Sequence, residues 1–331
     1  MTFIIAEVGV NHNGSVEIAK QLIDLAKDAG ANAVKFQTFK TNKLVSKGAE
    51  KAEYQKNSSN ETQEEMLKKY ELTYNQFREI KNYCDKVDIE FISTPFDADS
   101  VALLVDLDVG YFKIGSGDLT NYPLLRKVAD TNKRIILSTG MSDIKDVKGA
   151  LNFLDLCGFT NTIFILHCVS SYPTKLEDTN LLCLEELSSL APFVGFSDHT
   201  TGWLASVVAV ACGATVIEKH FTLDKNMEGP DHKASLDSKE LYEFINIIRD
   251  TEKTLGTGLK SCKPDEMEVR KIARRSLAFN RNMSKGDVIT YDDLIGLRPY
   301  SGICCSKYMN YIGKKLKRDV RENDFLQDYD I

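Results

Sequence analysis

Two kinds of segment alternate along the first two-thirds of the chain. Short runs, nearly continuous in apolar residues, fall at Phe3–Val8, Ala33–Thr38, Ile89–Ser93, Tyr111–Ile114, Arg134–Ser138, Thr162–Leu166, Phe193–Ser197 and Thr215–His220. Such runs read as parallel strands buried on both faces. Between them lie stretches with helical spacing. Val16–Ala29 is the clearest, with apolar residues at Ile18, Ala19, Leu22, Ile23 and Ala26. Tyr74–Lys86, Ser100–Leu107, Ile144–Leu156 and Lys239–Leu255 follow the same spacing. Trp203–Ile217 is almost wholly apolar, but Gly213 interrupts it, so it reads as a helix, a turn and a strand.

Eight strand-plus-helix units in about 250 residues predict a (β/α)8 barrel, a TIM barrel, over residues 1–260. Gly-, Ser-, Thr- and Asn-rich segments follow most of the strands: GVNHNGS, STPFD, GSGDLTN, STGMSD, HCVSSYPT, SDHTTG and KHFTLDKNMEGPDHKAS. In such a barrel these loops build the functional face. The pattern changes after Ser261. KPDEMEVRK is charged and helix-like, and residues 261–272 read as a linker. Short β-rich pieces at Arg275–Phe279, Asp287–Thr290 and Ile295–Leu297 predict a small, mostly β domain over 273–331.

Composition narrows the function. The 331 residues carry 42 Lys+Arg against 48 Asp+Glu, and an acidic chain is a poor nucleic-acid binder. The stretch from Lys271 to the end holds 12 basic and 8 acidic residues, so the remainder is more acidic still. Hydrophobic content of 43% supports a packed core. The apolar start, MTFIIAEVG, is too short for a signal peptide, and no run reaches the roughly 20 residues of a membrane span. None of the eight cysteines forms a CxxC pair, and adjacent Cys304 and Cys305 are poorly placed for a disulfide. A reducing, cytoplasmic setting is expected.

The five histidines, His12, His167, His199, His220 and His232, all fall at or just beyond predicted strand ends. Singly, each is as readily a hydrogen-bonded loop or core residue. Jointly, His199 and His220 end neighbouring strands about 4.8 Å apart and could share one cation. Two imidazoles leave positions for water and substrate, which suits Mn²⁺, Mg²⁺ or Co²⁺. Lys35 and Lys113 sit near the ends of the second and fourth strands. With hydroxyls at Thr94, Ser116, Ser138 and Ser197 they read as an anion cradle, against the plainer reading of Lys–carboxylate pairs. Glu7, Asp118, Asp198 and Asp231 hold similar positions. Each alone could be a turn or cap residue; together they could bind sugar hydroxyls and move protons.

The segments EVGVNHNGS, VKFQTFK, KAEYQ, FISTPFD, FKIGSGDLTNYPLL, ILSTGM, LHCVSSYPT, GFSDHTTG, VIEKHFTLDKNMEGPDHKAS and ARRS together resemble the sialic acid synthase family. GDVITYDDLIGLRPYSGI resembles the antifreeze-like (SAF) domain that ends those enzymes. The resemblance implies a TIM barrel plus SAF domain, in a homodimer where each SAF domain covers the partner's active site. It implies condensation of phosphoenolpyruvate with an N-acetylated mannose-type sugar. A metal, manganese first, polarises the sugar aldehyde; C3 of phosphoenolpyruvate attacks; water adds at C2; and C–O cleavage releases phosphate. By resemblance His199 and His220 are the metal ligands. Lys35, Lys113, Thr94, Ser116, Ser138, Ser170 and Ser197 contact phosphoenolpyruvate. Glu7, Gln37, Tyr172, Asp198 and Asp231 are sugar-side groups, and Arg298 reaches the partner's sugar site. Glu7 or Asp118 handles the proton of the attacking water.

Three positions depart from the family. Asp118 stands where Glu is common, Ser170 where Asn or Thr is common, and Tyr300 where Gly usually follows the Arg-Pro pair. N-acetylneuraminate is the leading product, then legionaminate, then pseudaminate. Rivals are a sugar-phosphate-using synthase, a Schiff-base aldolase and a non-enzymatic sugar-binding module. The first lacks a second basic cluster beyond Lys219 and Lys233. The last has no use for a His pair, two lysines and four carboxylates on one face.

Overall fold

The structure is a computed structural model and describes residues 1–46 and 62–331; the KAEYQ segment lies outside the described residues. It divides into two compact units, Met1–Gly256 and Thr257–Ile331.

In the first unit eight parallel strands pair in chain order and close into a barrel. They are β1 (Phe3–Gly9), β2 (Ala33–Thr38), β3 (Glu90–Pro95), β4 (Tyr111–Ile114), β5 (Arg134–Ser138), β6 (Ile163–Cys168), β7 (Phe193–Asp198) and β8 (Val216–His220). β8 closes against β1, with Glu7 opposite His220. Alternation along each strand splits its side chains between two cores. Outward residues such as Ile4, Val34, Phe91, Phe112, Leu137, Phe196 and Ile217 pack under the helices. Inward, Ile5, Ala33, Ile92, Ile136, Leu166 and Val216 form a dry layer at the barrel floor. Gly195 completes it, because a Cβ there would lie 2.3 Å from the Val216 carbonyl oxygen. Apolar demand on both faces explains the unbroken hydrophobic runs.

The helices of this unit are α1 (Val16–Ala29), α2 (Thr41–Leu44), α3 (Gln63–Tyr70), α4 (Tyr74–Val87), α5 (Ala98–Asp106), α6 (Tyr122–Ala129), α7 (Ile144–Leu156), α8 (Cys183–Ser188), α9 (Leu204–Ala211) and α10 (Ser238–Leu255). Local chemistry starts several of them. Ser15 caps α1, Thr73 and Gln76 form a capping box on α4, and Asp237 with Glu240 forms one on α10. The sequence pattern did not separate α2, α3, α6 and α8. None exceeds eight residues, too short for a 3.6-residue period to repeat clearly.

In the second unit β9 (Ser276–Phe279) pairs antiparallel with β10 (Leu294–Leu297). Leu277, Phe279, Met283, Ile289, Leu294, Leu316, Val320 and Leu326 form its core. Asp287–Thr290, expected as a strand, supplies only an isolated bridge from Val288 to Lys315. Residues 261–272, expected as a linker, are largely helical: α11 (Glu266–Ala273) lies in the second unit. The helix matches the helix-like reading of KPDEMEVRK, and none of its residues is buried. All eight cysteines are free, and no helix among the described residues is long and apolar enough to cross a membrane.

Candidate functional site

One alternation above the dry layer, the barrel interior becomes ionic. Glu7 of β1, Lys35 of β2, Lys113 of β4 and Glu218 of β8 all point inward and are at most 5% exposed. Glu7 and Lys35 face each other across the β1–β2 ladder. Lys35 Nζ lies 2.8 Å from Glu7 Oε1 and donates to Thr94 Oγ1 at 3.1 Å. Lys113 Nζ donates to Ser138 Oγ at 2.7 Å and stands 3.7 Å from Glu218 Oε2. Ser197 Oγ donates to Glu218 Oε1 at 2.9 Å.

Two carboxylates and two ammonium groups in one dry chamber share protons unequally. Burial pushes Glu7 up to about 7, against the pull of Lys35. Burial also opposes ionisation of Glu218, but Lys113 and Lys35 outweigh it and hold Glu218 down to about 2. Burial lowers Lys113. It would lower Lys35 too, but Glu218 and Glu7 raise Lys35 overall. Of the two carboxyls Glu7 is the one that takes up a proton more readily, so the carboxylates do not fully neutralise the two lysines and the chamber suits an anion. Glu7 Oε2 and Glu218 Oε2 are buried without hydrogen-bond partners. Unpartnered buried acceptors are rare in a finished core and point to a missing ligand or water.

This ionic layer floors a cavity of about 360 Å³. Gln37, Ser116, Ser170 and Cys168 complete its wall. Ser116 Oγ accepts the Gly140 amide at 2.9 Å. A Cβ on Gly140 would stand 2.4 Å from Ser170 Oγ and 2.8 Å from Ser116 Oγ, so the site requires glycine there. A second cavity of about 330 Å³ adjoins it, and the two share Tyr172, His199 and His220. Asp231, Lys225, Lys233, Ser235 and Glu240 line the second cavity. Lys225 is paired with Glu240 at 2.5 Å. Burial pushes Asp231 up to about 6.

The histidine pair stands at the junction, ring centroids 5.9 Å apart, with the Tyr172 ring 4.0 Å from His199. His199 Nδ1 lies 2.8 Å from the Val169 carbonyl oxygen. A proton on Nδ1 serves that bond and leaves the Nε2 lone pair available, the tautomer a metal ligand needs. His220 Nδ1 is buried with no partner, and burial pushes His220 down to about 3, keeping it neutral. Both rings fit a divalent cation. Among the described residues no group of three His, Cys, Asp or Glu could hold one, so the remaining positions would fall to water and substrate.

Of the remaining expected residues, one lies off both cavities, one borders the second cavity, and one is on the second unit. Asp118 sits in a 3-10 turn, accepts from Asn121 Nδ2 at 2.8 Å and lines neither cavity. Asp198 borders the second cavity, but its carboxylate is spent on Thr200, Ser206 and Lys219. Arg298 is exposed on the second unit. Conversely, sequence reading missed Glu218 and Cys168. The signal for Glu218 was present: in VIEKH the alternation that turns His220 inward also turns Glu218 inward.

Residues 22–260 match the NeuB family, and residues 274–331 match the SAF domain. The chain is 44% identical to the N,N'-diacetyllegionaminic acid synthase of Campylobacter jejuni, over 99% of each chain. It is 35% identical to the human N-acetylneuraminate-9-phosphate synthase, over 98% of this chain and 91% of that one. The crystal structure of the N-acetylneuraminic acid (sialic acid) synthetase of Leptospira borgpetersenii, in complex with citrate, superposes with a TM-score of 0.73 at 33% identity, covering 81% of this chain and 90% of that one. An eight-stranded barrel with this ionic mouth, matched along nearly its whole length, belongs to the NeuB family of sialic and related nonulosonic acid synthases.

Proposed function

We propose that the chain condenses phosphoenolpyruvate with an open-chain N-acetylated amino sugar and releases phosphate. The observation that carries this reading is the pairing of a buried two-lysine chamber with two adjacent histidines at its rim. Lys35 and Lys113 hold the phosphate and carboxylate of phosphoenolpyruvate, aided by Thr94, Ser116, Ser138, Ser170 and Ser197. The second cavity takes the sugar against Tyr172 and Asp231, with Gln37 reaching from the first. His199 and His220 hold a divalent metal, manganese first. That metal supplies Lewis acidity toward the sugar carbonyl. Glu7, raised to about 7, is the acid–base group for the water that adds at C2. Asp118 is set aside for that role because it lies off both cavities.

The sugar we propose is 2,4-diacetamido-2,4,6-trideoxymannose, giving N,N'-diacetyllegionaminic acid, ahead of N-acetylmannosamine. This reverses the order from sequence alone. The support is higher identity to a relative named for that product, 44% against 35% for the neuraminate-9-phosphate synthase. A phosphorylated sugar substrate would need a free basic cluster, whereas among the described lysines lining the second cavity Lys225 is occupied by Glu240 and Lys233 alone adds charge. The proposal extends to a homodimer in which Arg298 of a second copy reaches the sugar. Eight unpaired cysteines support a reducing, cytoplasmic setting.

The test is phosphate release from phosphoenolpyruvate with Mn²⁺, with and without EDTA, run in parallel with both sugars. EDTA-sensitive release favouring the diacetamido sugar is expected. Preference for N-acetylmannosamine would restore the neuraminate reading. Release that EDTA leaves untouched would remove the metal role.

A further inference from the structure

Asp198 and Lys219 form a buried ion pair that the proposed chemistry does not use. They are Cα partners across the β7–β8 ladder and project away from the barrel interior. Their carboxylate and ammonium lie 2.9 Å apart, with side chains at most 2% exposed. Both belong to the residues flanking the histidines: Asp198 precedes His199, and Lys219 precedes His220.

The bonds they make bracket His199. Asp198 Oδ1 accepts from the Thr200 amide and from Thr200 Oγ1, each at 2.8 Å. Lys219 Nζ donates to the Thr200 carbonyl oxygen at 2.7 Å. Ser206 Oγ of α9 donates to Asp198 Oδ2 at 2.5 Å and ties the pair to the helix layer. β7 ends at Asp198, so His199 lies beyond the β7–β8 ladder. The main chain at His199 and Thr200 is otherwise held by an isolated parallel bridge between Thr174 and Thr200, which includes the bond from Thr174 N to the His199 carbonyl oxygen, 2.9 Å. His220, in contrast, lies within a strand and is registered against Glu7.

We infer that the Asp198–Lys219 pair is a positioning clamp that fixes His199 relative to His220 and so sets the bite of the metal site. The inference rests on the reading of the two histidines as metal ligands. With only two protein donors, metal affinity depends steeply on their separation. One of the two sits on backbone that the ladder does not restrain. The Thr174–Thr200 bridge ties that backbone to the loop after β6, and the side-chain clamp adds a tie to β8, the strand that carries the other donor. In this role the pair acts through the backbone at Thr200 and is not a ligand of the metal, although Asp198 also borders the second cavity.

The experiment measures Mn²⁺ binding to the metal-stripped full-length chain, by the loss of the free-Mn²⁺ paramagnetic resonance signal. Variants are Asp198→Asn, Lys219→Met, Thr200→Val and Ser206→Ala, with His220→Ala as the reference for lost ligation. Val147→Ala, in the buried face of α7, is the reference for lost stability alone. Asp198→Asn and Lys219→Met should weaken Mn²⁺ binding about tenfold or more, the range typical of residues that orient ligands. Val147→Ala should leave it within twofold. Thr200→Val and Ser206→Ala each remove one hydroxyl and keep the variants foldable; a threefold weakening in each is expected. Unchanged affinity in Thr200→Val and Ser206→Ala, or in a folded Asp198→Asn, overturns the clamp. If the unmutated chain binds no Mn²⁺, or if His220→Ala binds it equally well, the metal reading itself fails and takes the clamp with it.

Discussion

Two buried ion-pair systems meet at strand β8, where Glu218 and Lys219 face opposite ways, and their hydrogen bonding differs. Inside the barrel, Glu7, Lys35, Lys113 and Glu218 carry two carboxylate oxygens with no hydrogen-bond partner. Outside it, the Asp198 carboxylate accepts from Thr200, Ser206 and Lys219 and leaves nothing unmet. Burial alone does not separate a working charge from a structural one. Satisfaction does: a saturated pair holds the fold, and an unsaturated one is arranged for something that arrives.

The sharpest break of this comparison is Lys113→Ala. On the proposed anion-binding role it should lower kcat/KM for phosphoenolpyruvate by about 100- to 1000-fold, because a preorganised donor is removed. Phosphate-release kinetics read this, with circular dichroism checking that the fold persists. The opposite result is expected of Lys219→Met in chemical denaturation. Leaving Asp198 charged and buried should cost about 3–5 kcal/mol of stability. If Lys219→Met is as stable as the parent while Lys113→Ala unfolds, the assignment of the two systems is reversed.

A smaller effect should follow from Gly140→Ala. Its Cβ would displace Ser116 and Ser170 from the first cavity, raising KM for phosphoenolpyruvate while moving the melting temperature little. A melting loss with unchanged KM would make the two serines scaffold rather than ligand.

The subtlest effect is in pH. Glu7 is raised by burial from 4.5 to about 7, so the folded state binds its proton more tightly than the unfolded chain. The linked stability is present below the unfolded value and lost as pH climbs from about 4.5 to 7. Glu218, lowered to about 2, contributes in the opposite sense: stability present above 4.5 and lost as pH falls toward 2. Glu7→Gln, unfolded in EDTA across this range, should remove the loss of stability between pH 6 and 7, above the range of Asp231, and spare the lower window. A slope between pH 6 and 7 that survives the substitution assigns it to another group.

Most of the barrel was legible in the chain. All eight strands fall within two residues of the apolar runs, because strands buried on both faces must be apolar almost throughout. The long helices α1, α7 and α10 were legible for the same kind of reason, several turns of one repeated face. Helices of two turns or fewer carried too little period. α11 was legible as a charged, helix-like stretch, but not as part of the second unit, because its sequence is mostly charged and none of its residues is buried there. In the second unit, turns and isolated bridges replace repeating strands, so pattern forecast the β9–β10 sheet but not its surroundings.

At the site, the sequence by itself determined the cast: five histidines at strand ends, two lysines and a set of loop hydroxyls. Strand order placed His199 beside His220. Only the closed barrel decided which groups meet. Glu7 contacts Lys35 because neighbouring strands bring them into register, and Lys113 nears Glu218 because the ring closes across the interior. Neither contact is local in sequence. The same closure paired Asp198 with Lys219 at the border of the second cavity and left Asp118 in a 3-10 turn off both cavities, neither of which residue type or loop position shows. A one-residue step along a strand turns a side chain from the interior to the helix layer. Tertiary closure, not composition, therefore separated the charges left unsatisfied from the charge that holds the frame.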